Sequence, residues 1–337
     1  MTLVGRKADH LRIAAGPDVA HAGGTGLERF RLRHRALPER DLARVSLETS
    51  LLGARLAAPI VISAMTGGTP EAEVVNARLA RAACEHGLAL VLGSGRALLD
   101  DPDRLSTYRS GDRPPLLLGN LGAAQVRRPD APERAERLVA LLEADGLTVH
   151  LNPIQEAVQP EGEPDFSGVA AGIAAVVERL APLPVVVKEV GFGMDAADVA
   201  LLRDAGVAAI DVAGAGGTNW ALVEGHRDER AGDVSSAFAD WGVPTADALI
   251  EAVATAPGLP IVASGGLRDG VDAAKALALG ASAVGLARPF LLGAQADEAS
   301  SVAATLIRQL RVAVWAVGAG SVAELGPEHL RGTNFGH

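Results

Sequence analysis

The feature that most constrains this chain is a rhythm of eight short apolar runs. Each is followed by a turn bearing Gly or Asn and then by an Ala- and Leu-rich stretch of helical character. The runs read PIVISAM (59–65), LALVLGSG (88–95), PLLLGNLG (115–122), LTVHLN (147–152), PVVVKEVG (184–191), VAAIDVAG (207–214), LPIVASGG (259–266) and SAVGLARPF (282–290). Runs that are apolar throughout, rather than alternating, belong to strands buried on both faces, as in a parallel sheet wrapped by helices. The stretches between them begin and end as helices do. Pro70 opens one that closes at Gly87, Asp195 opens one that closes at Gly206, and Asp269 opens one that closes at Gly280. Eight such units, mostly 22–38 residues apart, predict a closed (β/α)8 TIM barrel rather than an open doubly wound sheet. No GxGxxG follows the first run, which weakens a dinucleotide-binding alternative.

Two segments stand outside the rhythm. Residues 1–58 are expected to form an N-terminal arm and extension packing on a barrel of residues 59–337. Residues 215–243, with Trp220 and Trp241, form a long insertion after strand six. Loops of that length on a barrel's C-terminal face usually cover the site or meet a neighbouring subunit.

Composition narrows the class. A net charge of −10 and only ten aromatic residues among 337 argue against nucleic acid as a partner. A single cysteine, Cys84, excludes an intrachain disulfide. The start has no apolar leader and no run reaches membrane-spanning length, so a soluble cytoplasmic protein without a membrane partner is expected. Against the acidic background, residues 1–35 carry seven Arg/Lys and three Asp/Glu, a basic arm that suits an anion or is simply a solvated tail.

In this fold chemistry sits at the C-terminal ends of the strands, where the chain places Met65, Thr66 and Gly67, then Ser94 and Arg96, then Asn120. The fourth to sixth strands add His150, Asn152, Gln155, Glu156, Lys188 and Thr218. After the seventh and eighth come SGGLRDG (264–270) and GLARPF (285–290). Glycine-rich turns at these two places, with a short helix start, are the common barrel phosphate site; the same glycines also serve tight turns. That points to Gly266, Leu267, Arg268, Ala287 and Arg288. Lys188 is one of only three lysines. An ammonium inside VVVKEV costs several kcal/mol without a partner, so it suggests a cation set against an electron-rich cofactor. Glu156 suits Mg²⁺ with substrate phosphates completing the octahedron, or a helix-start carboxylate; Glu163 and Asp165 are better candidates for that second role. His10, His21, His34 and His226 lack zinc-like spacing and point to solvated or structural roles.

Taken together, these residues resemble the type 2 isopentenyl-diphosphate isomerases, FMN-dependent enzymes of the FMN-linked barrels. The likeness covers nearly the whole chain. It rests on GRKADHLRIA (5–14), HRALPERDL (34–42), SAMTGG (63–68), GSGRALL (93–99), HLNPIQE (150–156), VVVKEVGFGM (185–194), AGAGGTNW (213–220), DWGVPT (240–245) and ASGGLRDGVDAAKALALGA (263–281). It implies that Met65, Thr66, Gly67, Ser94, Asn120, Lys188 and Thr218 contact FMN, and that Gly266–Arg268 and Ala287–Arg288 hold its phosphate. It further implies that Arg6, Lys7, His10, Arg96, His150 and Asn152 grip a diphosphate substrate. Gln155 would sit beside the reacting alkene, and Glu156 would bind Mg²⁺. Gln155, Lys188 and His150 are the implied catalytic set, NADPH the implied reductant, and a homotetramer or octamer the implied assembly. The implied reaction moves a carbon–carbon double bond with no net redox change, with reduced FMN as acid and base.

Four positions depart from the family pattern: Ala8 for an acid, Arg35 for Asn, Gly95 for Gln and Ala213 for Ser. The last two leave open weaker affinity or a related substrate, such as a longer prenyl diphosphate. The other class open to an FMN barrel, oxidation of 2-hydroxy acids, needs a base His just after strand six. Ala215 stands there, and no His lies between His226 and His329.

Overall fold

The computed structural model describes residues 3–16 and 19–332, with the side chains of residues 3–8 and 229 outside the described residues. All eight expected strands form: β1 (Ile60–Ile62), β2 (Ala89–Val91), β3 (Leu116–Gly122), β4 (Gly146–Leu151), β5 (Val185–Glu189), β6 (Ala209–Asp211), β7 (Ile261–Ser264) and β8 (Ala283–Leu286). Each pairs in parallel with its successor, and β8 closes on β1 through Val284↔Ile60 and Gly285↔Val61.

The two-residue strand period divides every run between two cores. Ile60, Leu90, Leu117, Val187, Ile210 and Val284 face outward into the layer of helices. Val61, Val91, Leu118, Val186, Ala209 and Val262 face inward and fill the barrel. Its lower end is closed by a hairpin (Thr49–Leu51 with Ala54–Leu56), whose Leu51 and Leu56 join that inner cluster. Two residues further along, the inward positions of six strands are polar, namely Ser63, Asn120, His150, Lys188, Asp211 and Ser264, while β2 and β8 reach Gly93 and Gly285. An aliphatic plug thus carries a polar floor.

The helix boundaries follow from local chemistry. Thr69 Oγ1 accepts from Ala72 N–H ahead of Pro70–His86, and Gly87 ends that helix with φ 62°. Asp195 and Asp269 cap Ala196–Asp204 and Gly270–Ala278 through the backbone N–H groups of Asp198 and of Val271 and Asp272. After β6 the chain forms the helix Trp220–Arg227, opened by Asn219, whose Oδ1 accepts from Leu222 N–H. The first helix, Leu3–Ala14, lies against it, with His10 edge-on to Trp220 at 5.4 Å between centroids. Among the described residues, no helix is long and apolar enough to cross a membrane.

Candidate active site

A cleft of about 680 Å³ opens above the polar floor, within the size range of small-molecule sites. Lys188 and Asn120 form part of its base, with Met65, Thr66 and Ser94 beside them. Thr218, Gly266, Leu267, Arg268, Ala287 and Arg288 border it on the side of the last strands. His10, Arg96, His150, Asn152, Gln155 and Glu156 border it as well. Gly67 does not: a Cβ there would fall 2.0 Å from the Tyr108 ring, so this glycine admits a buried aromatic behind the loop. Arg6 and Lys7 lie on the first helix, and their side chains are outside the described residues.

At one corner the turns after β6 and β7 pack backbone to backbone. A Cβ on Gly266 (φ +75°) would sit 2.3 Å from Gly216 O, and one on Gly217 would sit 2.5 Å from Gly266 N. The helix Arg288–Gln295 starts at the same corner, with Pro289 in its first turn. A phosphate placed there would meet backbone N–H groups and a helix N-terminus. The guanidiniums are engaged elsewhere: Arg268 pairs with Asp272 at 3.0 Å, and Arg288 donates to Ala15 O and Gly16 O, each at 3.2 Å. The hydroxyls of Ser63 and Thr66, both bordering the cleft, are buried without a hydrogen-bond partner among the described residues. Such groups suit a ligand with polar edges, and with the glycine corner they fit FMN.

Lys188 projects from β5 into the barrel. Its Nζ donates to Glu189 O at 2.7 Å and lies 3.8 Å from Asp211 Oδ2. Glu189 points the opposite way, as the strand period requires. Its Oε2 gathers the N–H groups of Val190, Gly191 and Phe192, each at 2.6 Å, while Oε1 is buried with no partner among the described residues. Burial pushes this carboxyl up to about 7, against the three N–H groups and Lys188.

Opposite, a chain of hydrogen bonds fixes the polar ends. Asn120 donates Nδ2 to Leu92 O, which turns its Oδ1 to accept from His150 Nδ1 at 2.7 Å. Asn152 Nδ2 donates to Gln155 Oε1 at 3.1 Å, and Gln155 Nε2 donates to Glu224 Oε1 at 2.8 Å. Glu224 is fully buried; His10 Nε2 lies 2.9 Å from its Oε1 and Arg227 Nε 2.7 Å from its Oε2. Burial alone would raise this carboxyl, but His10, Gln155 and Arg227 outweigh it and hold it below the ordinary carboxylate value. Glu224 is the residue that sequence reasoning missed. The available signal was its place four residues after Trp220, on the same helix face behind an Asn cap.

Glu156 lies in the first turn of the helix Pro153–Val158. Its Oε2 accepts from Gln159 Nε2 and Glu163 N–H, and its Oε1 from Asn152 Nδ2. Oε1 therefore keeps capacity for one cation. Among the described residues no group of three or more His, Cys, Asp or Glu could hold a metal, so Glu156 fits Mg²⁺ only as a lone carboxylate completed by phosphate and water. The expected helix-start role of Glu163 and Asp165 does not hold. Glu163 pairs with Arg96 at 2.8 Å and Arg128 at 3.5 Å, and Asp165 with Arg127 at 2.7 Å, while the following helix, Val169–Leu180, has no acid in its first turn. Of the solvated and structural roles expected for His10, the structural one holds, since it meets both Glu224 and Trp220.

Two departures acquire physical settings. Gly95 does not border the cleft; a Cβ there would point at Leu138, 2.5 Å from its Cδ1. Ala213 does border it, in a left-handed conformation (φ +36°) uncommon for a residue with a Cβ.

Residues 159–332 match the FMN-dependent dehydrogenase family model. Among solved structures, a flavocytochrome b2 mutant with benzoylformate superposes with a TM-score of 0.68 at 19% identity, covering 97% of this chain and 82% of that one. Mandelate oxidase with (S)-2-phenylpropionate gives 0.66 at 24%, covering 97% and 93%. At that identity they share the fold. Full-length relatives carry more: isopentenyl-diphosphate delta-isomerase of Stutzerimonas stutzeri is 48% identical, covering 96% of both chains. That of Methanothermobacter thermautotrophicus is 43% identical over 95% of this chain and 90% of its own. With one cleft joining a glycine phosphate corner, a buried lysine and the Asn152–Gln155–Glu156 turn, the chain belongs to the FMN-dependent, type 2 isopentenyl-diphosphate delta-isomerase family.

Proposed function

We infer that this protein interconverts isopentenyl and dimethylallyl diphosphate in isoprenoid biosynthesis, with FMN as its cofactor. The observation that carries the reading is the placement, in one cleft, of the glycine corner, Lys188 and a doubly anchored Gln155. Met65, Thr66, Ser94, Asn120, Lys188 and Thr218 would hold the flavin, and Gly266–Arg268 with Ala287–Arg288 its phosphate. Gly67 would act from behind, by admitting Tyr108. When bound and reduced, FMN supplies the acid and base that move the alkene's double bond. NADPH would serve as the reductant, although no dinucleotide motif marks its place.

The chain's own contribution is placement and charge. Gln155 has its oxygen engaged by Asn152 and one N–H by Glu224, so a single amide orientation faces the substrate. Lys188 sets a positive charge at the floor, where it stabilises negative charge developing above it. Arg96, His10, His150 and Asn152, joined by Arg6 and Lys7 of the arm, would grip the diphosphate, and Glu156 would hold Mg²⁺, which would supply charge neutralisation for the phosphates. A cytoplasmic, homo-oligomeric enzyme completes the proposal.

The test is direct. The purified protein with FMN, NADPH, Mg²⁺ and isopentenyl diphosphate in D₂O should yield deuterated dimethylallyl diphosphate. A protein that binds FMN yet gives neither double-bond migration nor deuterium uptake refutes it. The hydroxy-acid oxidase reading gains no support: Ala215 is buried and does not border the cleft, and among the described residues only His10 and His150 bring imidazoles to it.

A further inference from the structure

Three side chains from consecutive strands meet in the floor of the cleft. Lys188 of β5, Asp211 of β6 and Ser264 of β7 occupy the first polar layer above Val186, Ala209 and Val262. They are 8%, 5% and 3% exposed. Asp211 cannot swing: its Oδ1 accepts from Ser264 Oγ at 2.5 Å and from Ala213 N–H at 3.2 Å, which leaves Oδ2 directed at Lys188 Nζ, 3.8 Å away. The only other partner of Nζ that the chain presents among the described residues is the neutral Glu189 carbonyl. A buried ammonium next to an aliphatic layer holds its proton poorly unless a fixed negative charge compensates the lost hydration.

We propose that Asp211, locked by Ser264, is the positioning residue that holds the Lys188 ammonium directed at the flavin. The proposal rests on the FMN reading above. The titratable groups around Lys188 are few: His150 pairs with it across β4, Asp211 faces it from β6, and the Glu189 carboxyl is turned to the other face of its own strand. From β7 comes only the Ser264 hydroxyl.

The sign of one measurement separates this role from its rival. As a bare negative charge below the flavin, Asp211 would disfavour the reduced cofactor, and removing it would favour reduction. Acting through Lys188, it supports the reduced cofactor, and removing it does the opposite. Redox titration of the FMN-loaded protein should therefore show Asp211→Asn losing at least tenfold in its preference for reduced over oxidised FMN, about 30 mV for a two-electron couple. In a Lys188→Met background the same substitution should cause no loss. An unchanged or increased preference in the protein that retains Lys188 overturns the proposal. Should Asp211→Asn fail to fold or to hold FMN, Ser264→Ala carries the test, with a threefold loss expected and no change overturning it. Failure of the unsubstituted protein to bind FMN would instead remove the reading on which the proposal stands.

Discussion

Replacing Glu224 by Gln removes one charge from a buried cluster while keeping its volume. The carboxylate is fully buried and meets three groups: His10 Nε2 at 2.9 Å, Gln155 Nε2 at 2.8 Å and Arg227 Nε at 2.7 Å. An amide accepts through one atom only, so at least one of these groups would then face an NH₂ donor. Losing a hydrogen bond to a charged group costs about 1.5–3 kcal/mol. Arg227 keeps Glu161 at 2.6 Å, which limits the damage, so about 2–3 kcal/mol of stability should be lost at pH 7. That is a fraction of the usual 5–15 kcal/mol, and the variant should fold. Turnover suffers separately, because Gln155 loses the anchor of its amide nitrogen. A reacting group displaced by about 1 Å can cost on the order of 100-fold in rate, so kcat should fall tenfold or more with KM less affected. The pH dependence has a definite sign. The folded pKa of Glu224 lies below its unfolded value, so its stabilisation is present above about pH 4 and lost as the pH falls through the folded value. Urea midpoints of the two proteins should differ most near neutrality and converge in acid. Equal midpoints at pH 7 together with an unchanged kcat would refute the anchoring role.

Other perturbations are equally specific. Glu189 has the opposite linkage: its carboxyl is raised to about 7, so stability should decline as the pH rises from about 4.5 to 7, by up to about 3 kcal/mol, and level off above. Glu189→Gln should flatten that slope in thermal melts between pH 5 and 8. Glu163→Gln frees Arg96 from a half-exposed pair worth at most about 1 kcal/mol, so KM for the diphosphate should fall, by no more than about fivefold; a higher KM would show that Glu163 positions Arg96 instead. Gly266→Ala forces a Cβ against Gly216 O at a positive φ and should weaken FMN binding at least tenfold in fluorescence titrations; unaltered affinity would move the phosphate away from this corner.

The barrel was legible because each strand is buried on both faces, and continuous apolar runs are the mark of that environment. The same period that placed Val186 inside placed Lys188 inside, two residues above it. Glu224 was not legible for a physical reason. Its partner Gln155 lies 69 residues earlier, and nothing local to either residue records how the helix after β6 docks on the turn after β4. Glu163 misled because the stretch from 159 to 168 has no helical or strand period to orient it, so its choice of Arg96 over a helix terminus depends on tertiary packing. Glycine is ambiguous in a different way. Gly266 faces a ligand corner, while Gly67 and Gly95 make room for Tyr108 and Leu138, and sequence alone does not separate these uses.

The barrel fold is shared with mandelate oxidase and flavocytochrome b2, and the character of this chain's cleft comes from what its loops place over the floor. After β6, Ala215 is buried away from the cleft, and the wall there is built by Gly216, Gly217, Thr218 and Trp220. The helix that Trp220 begins brings in Glu224, which does not border the cleft and acts by holding Gln155. An amide neither gains nor loses a proton near neutrality, so Gln155 orients without titrating. The ionisable groups that do border the cleft are committed to contacts of their own: His10 to Glu224, His150 to Asn120, Glu156 to Asn152, Gln159 and Glu163 N–H, Lys188 to Asp211, Arg96 to Glu163, Arg268 to Asp272, and Arg288 to Ala15 O and Gly16 O. A site so arranged is poor in acids and bases of its own and rich in fixed charge. It suits a reaction in which the protein's task is to hold the reacting partners still and stabilise charge, as a proton shift requires.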